Sequence, residues 1–168
     1  SVTGVQTCAL PIYLHLEIAK EVGDKHGEGD AYGNLGNAYD SLSDFKKAIE
    51  CHNLHLKIAQ EVGDKHRVCG AYCNLGTVYW SQGDFKRAIE HHNLHLELAK
   101  EVGDKHGEGK AYGNLGNAYD SLGDFKKAVE YHNLVLKIAK DVRDKHGNGK
   151  AYGNRSEEHT SELQSPMY

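Results

Sequence analysis

Small and apolar residues along this chain fall into two alternating helical patterns. In the first, Ala111, Tyr112, Leu115, Ala118, Tyr119 and Leu122 recur at the spacings of one helical face. In the second, Phe125, Ala128, Val129, His132, Leu136 and Ala139 trace another such face, which is expected to end near Val142. Between them Gly123 supplies a helix-ending residue and Asp124 an N-cap. Gly103, Asp104, Lys105 and His106 are expected to connect one hairpin to the next, with Gly83 and Gly103 at left-handed or flexible positions. The pattern therefore predicts pairs of antiparallel helices, A followed by B.

The pair repeats. Shifting the sequence by 40 residues aligns 27–66 with 67–106 and 107–146, and the first and third copies differ at only eight of the forty positions. Copies this similar at this period predict a stack of identical units, and the fold class is all-α: an α-solenoid of stacked antiparallel helical hairpins. The register extends back to Leu14, which matches Leu54, and forward to Asn154, which matches Asn114. Beyond these points it fails, with Arg155 standing where Leu35, Leu75 and Leu115 stand. Both ends resemble translated sequencing-adapter DNA, because one oligonucleotide read on opposite strands encodes Val2 to Ile12 and Arg155 to Ser165. Its leftover base turns an Asn codon into the Tyr codon of Tyr13, the position of Asn53, Asn93 and Asn133. On this reading 1–13 and 155–168 are not native and carry no repeat packing position. The native stretch, 14–154, then holds a partial helix B, three full repeats and a partial helix A, an internal piece of a longer protein. Uncapped apolar faces at its ends are expected to promote self-association.

Tyr112, Leu115-Gly116, Tyr119, Gly123, Phe125 and Ala128 resemble the tetratricopeptide consensus, with small and large positions in order. The resemblance covers 14–154 and implies a tetratricopeptide superhelix. The common unit has 34 residues, whereas this one has 40, carries His52, His92 and His132 at a usual aromatic position, and lacks a proline after helix B. In that respect it is similar to the long-helix repeats of the Pins/LGN family and of large multi-repeat animal proteins.

Composition removes several functions. A formal charge of −4 and 8% aromatic residues give no basic excess for phosphates, so nucleic acid is not an expected partner. No apolar run approaches the roughly 20 residues of a membrane span, and no signal peptide opens the chain, so the expected address is cytoplasmic. Cys8, Cys51, Cys69 and Cys73 lack framework spacing and are read as reduced thiols.

The candidate site is a ladder. Asn34, Asn74, Asn114 and Asn154 recur once per repeat, off the apolar face of helix A, the face that lines the concave surface in related repeats. An amide both donates and accepts, which suits an extended peptide. Asn37, Asn117, Lys110 and Trp80 are expected to share that surface, with Asp30, Gly70, Asp40 and Asp120. The competing reading makes the ladder a solvated or inter-repeat feature of duplication.

The pairs His52/His55 and His92/His95 suggest metal, but Val135 breaks the series and no carboxylate or cysteine recurs with it, so no metal is expected. His132 is read as a neutral packing ring, and His26, His66, His106 and His146 as connection residues. Cys69 and Cys73 are read as drift from glycine. Gly27, Gly29, Gly33 and Gly36 have the glycine content of a nucleotide-binding loop, yet no strand precedes them. No nucleophile, base and acid stand apart from the repeat, so neither catalysis nor a cofactor is expected. The leading function is a non-enzymatic scaffold that binds a partner's peptide segment. The alternatives are a regulatory or sensor arm of a larger signalling enzyme or ATPase, and a purely structural spacer.

Overall fold

An aspartate stands every 20 residues from Asp24 to Asp124, and each one starts a helix. The computed structural model describes residues 2–162, with side-chain surroundings for 10–143. It contains seven helices: α1 (Val2–Val22), α2 (Lys25–Ser41), α3 (Phe45–Glu61), α4 (Lys65–Ser81), α5 (Phe85–Glu101), α6 (Lys105–Ser121) and α7 (Phe125–Glu162). Helices α2, α4 and α6 are the A helices, and α3, α5 and α7 the B helices of the same hairpins.

The first linker is two residues long and the other five are three, because one aspartate in each serves two helices. Gly23, Gly63, Gly83, Gly103 and Gly123 take φ between 71° and 84°. The next aspartate then returns its N–H to the previous helix, as Asp64 does to the Ala59 carbonyl at 3.0 Å. Its side chain meanwhile caps the following helix: Asp24 Oδ1 accepts from Gly27 N at 2.9 Å, and Asp104 Oδ1 from Gly107 N at 2.9 Å. This double use starts each A helix earlier than the apolar pattern indicates. His26, His66 and His106 consequently lie in the first turn of α2, α4 and α6 instead of in connections.

Two positions depart from the glycine rule. Ser43 adopts φ 59° where Gly83 and Gly123 stand, a conformation that costs an L-residue about 1 kcal/mol. Ser43→Gly should therefore stabilise the chain by about 0.5–1 kcal/mol. A urea midpoint that stays put or falls would contradict this. At the other departure Arg143 replaces the left-handed glycine of Gly63 and Gly103, and α7 runs on to Glu162 instead of ending near Val142. Without a residue that readily turns left-handed, nothing breaks the helix, so the expected partial helix A is not a separate element.

Within each hairpin, glycine on helix A is covered by histidine on helix B. A Cβ on Gly76 would stand 2.5–2.8 Å from three ring atoms of His92, and one on Gly116 2.6–2.9 Å from those of His132. Ala48, Ala88 and Ala128 allow the same close approach from the B side, with Ala48 and Ala88 fully buried. Between hairpins, a B-helix leucine seats on the next A helix: Leu16 on Ala31 and Leu35, Leu96 on Ala111 and Leu115. Ile12 packs against the first of these clusters. A residue expected to carry no packing position thus fills one, because the α1 backbone extends helical geometry back past Leu14 and places Ile12 one turn before Leu16.

Candidate functional site

The A helices touch one another directly along one side of the stack. Arg67 on α4 donates from Nε and Nη2 to both carboxylate oxygens of Asp30 on α2, each at 3.0 Å, and from Nη1 to Asp64 at 2.7 Å. Asp30 is therefore an inter-repeat tie, its carboxyl held below the usual range by the guanidinium. Further along, Trp80 Nε1 donates to Ser121 Oγ at 3.1 Å, and Asn114 Nδ2 donates weakly to Cys73 Sγ at 3.7 Å. These contacts define the surface on which the asparagine ladder lies.

Asn34 and Asn37 on α2 are exposed, Asn74 on α4 is half-buried, and Asn114 and Asn117 on α6 are half-buried and exposed. Among the described residues, Asn34 and Asn74 spend no side-chain hydrogen bond on a neighbouring repeat. Asn154 lies outside the residues whose side chains are described.

The expected groove residues do not all line one pocket. Trp80, Asn114 and Asn117 come together around a pocket of about 150 Å3, closed by Thr77 and His92. Asn34, Asn37 and Asn74 do not line that pocket. Lys110 lines a different cavity of about 500 Å3 between α6 and α7, whose other walls include Gly109, Val135, Ile138 and Val142. The second cavity has a simple origin. In the first repeat His55 fills the space over Gly33, 3.1 Å from where a Cβ would stand, but Val135 reaches only to 4.0 Å of that point on Gly113.

Thr77 and His92 are site residues that the repeat pattern does not reveal, since neither stands out from its helix by period or spacing. His92 was legible as a constant histidine but not as a wall shared with the next A helix. The histidines are buried: His52 0%, His55 8%, His92 2% and His95 3% exposed. Burial pushes His52, His92 and His95 down to about 4, and His55 down as well, so all four are neutral rings at pH 7. Both ring nitrogens of His52 and His55, and Nδ1 of His92 and His95, have no hydrogen-bond partner. His132 differs. It covers Gly116 but is exposed, because no further A helix packs over it here.

Cys69 and Cys73 are buried thiols on α4, and burial pushes Cys69 up to about 11, so Cys69 is not primed as a nucleophile. Among the described residues no cluster of three metal-ligating side chains forms, and no helix is long and apolar enough to cross a membrane.

Residues 31–65 and 67–141 match family models of the tetratricopeptide repeat. The chain carries tetratricopeptide repeats. Solved structures of similar fold agree with this. The TPR domain of Arabidopsis FLU is 25% identical with a TM-score of 0.65, the match covering 70% of this chain and 98% of that one. BtubC from P. vanneervenii is 25% identical with a TM-score of 0.75, over 84% of this chain and 59% of its own. The TPR2AB domain of yeast Sti1, solved as a complex with pHSP90, is 25% identical with a TM-score of 0.59, over 78% of this chain and 51% of that one. No curated protein sequence matches the chain. The tetratricopeptide assignment accounts for the stacked hairpins.

Proposed function

We propose that this array is a non-enzymatic binding module that holds an extended peptide segment of a partner protein along α2, α4 and α6. The observation that carries the reading is the ladder itself. Three amides stand one per repeat along α2, α4 and α6, and Asn34 and Asn74 are not consumed by contacts between repeats. An extended backbone offers a donor and an acceptor at every residue, which a row of amides can pair without regard to side chains. The yeast Sti1 domain, seen with pHSP90, supports a protein partner for this kind of surface. We read the 40-residue unit as similar to the long-helix repeats of the Pins/LGN family.

The test compares binding with stability. Partners are captured on the whole chain, the bound segment is mapped, and its peptide is titrated against Asn34→Ala, Asn74→Ala, Asn114→Ala and the triple variant. Each single change should weaken affinity by about 0.5–1.5 kcal/mol, the net worth of one hydrogen bond, and leave unfolding stability almost unchanged. If stability falls instead and affinity holds, the amides are structural and this surface is not the binding site.

A further inference from the structure

The pocket between α4 and α6 differs chemically from the rest of the concave surface. Its lining residues are Thr77, Trp80, His92, Asn114 and Asn117, and none carries a charge when the His92 ring is neutral. At the matching place one repeat earlier, Asp40 stands instead of Trp80, with Oδ1 buried and without a partner and its carboxyl raised by burial. The neutral, tryptophan-walled version is thus particular to the second and third repeats.

Four kinds of side chain could enter, and the lining distinguishes them. A carboxylate would leave water for a site with no cation in its wall, an unfavourable exchange. An ammonium would leave water for a wall that holds no carboxylate, an equally unfavourable exchange. An aliphatic group would strip water from the amides of Asn114 and Asn117 without replacing its hydrogen bonds. A primary amide avoids all three penalties, because it is neutral and offers donors and an acceptor at one end, matching the asparagine amides. Size agrees as well. A cavity of about 150 Å3 is known to hold a benzene ring, and a glutamine side chain has a similar number of heavy atoms.

We propose that this pocket is a specificity subsite that reads a glutamine side chain of the bound segment, its amide paired with Asn114 and Asn117 and its methylenes against the Trp80 ring. The inference rests on the concave surface being the binding site.

Trp80 is the single tryptophan of the chain, so its fluorescence reports the pocket directly. The whole chain is titrated at neutral pH with N-acetyl-glutamine methylamide, N-acetyl-glutamate methylamide and N-acetyl-norleucine methylamide. The glutamine compound should give a saturable change, and the other two should bind at least about tenfold more weakly, a gap of 1.4 kcal/mol. Asn117→Ala, at an exposed position, should weaken the glutamine compound about fivefold without loss of helicity. Trp80→Asp, which installs the residue found at Asp40 and Asp120, should remove the preference when read by calorimetry. Glutamate or norleucine binding as tightly as glutamine, or no saturable response to the glutamine compound, would overturn the subsite. Neither result touches the ladder, which the alanine series on the mapped peptide decides separately.

Discussion

Acidification from pH 7 to pH 4.5 should unfold the array, with the urea midpoint falling steeply below pH 6.5. In the unfolded chain an imidazole titrates near 6.5, whereas burial holds His52, His92 and His95 near 4. Between those values the unfolded chain binds protons that the folded chain refuses, so stability is fully present above pH 6.5 and is lost as pH falls toward 4. Each ring contributes about 3 kcal/mol across that window, and three of them rival the whole stability of an ordinary domain. His55 is lowered too and adds in the same direction, although Asp30 and Asp64 partly hold up its positive form. Circular dichroism against urea at pH 7, 6 and 5 measures the effect. A control comes from the chain itself: His95→Val, the residue already present at Val135, should flatten the pH dependence by about one proton. Midpoints that coincide at pH 7 and pH 5 would show that the rings are not held neutral by the fold.

Gly76→Ala should be among the most damaging single changes, at about 3 kcal/mol. The new methyl would stand 2.5–2.8 Å from three atoms of the His92 ring, and that ring is 2% exposed, with little room to withdraw. Helix propensity alone argues the other way, since alanine favours a helix over glycine by about 1 kcal/mol. Gly70→Ala isolates this term, because a Cβ there meets nothing within 4 Å, and it should be neutral or stabilising by about 0.5–1 kcal/mol. In a double-mutant cycle, His92→Ala should recover most of the Gly76→Ala cost, because the clash is then absent. Two alanine variants of equal stability would mean that the ring over Gly76 moves aside freely.

Much of the architecture was legible before any coordinates. A 40-residue period with two helical faces leaves one economical packing, since each hairpin can cover its apolar side only against an identical neighbour. Leu35, Leu75 and Leu115 were marked as core by period, and all three are buried. Gly83, Gly103 and Asp124 were marked as helix ends by chemistry local to the chain, and local chemistry is what decides caps. The linker boundaries were less clear, because one aspartate serves two helices and only the hydrogen-bond geometry reveals both roles.

The candidate site divided along the same line. The amides of Asn34, Asn74 and Asn114 could be placed on one side of the stack from spacing alone, since a repeat carries every residue forward by the same rotation. The pocket could not, because Trp80, His92, Asn114 and Asn117 come from three helices and meet only when α5 and α6 pack against α4. Likewise, nothing in the periodicity separates His92, buried beside the next A helix, from His132, which occupies the same place in its repeat and is exposed. Sequence determined which residues each unit offers; burial, neutrality and the pocket depended on what the neighbouring unit covers, a property of the stack that no single repeat contains.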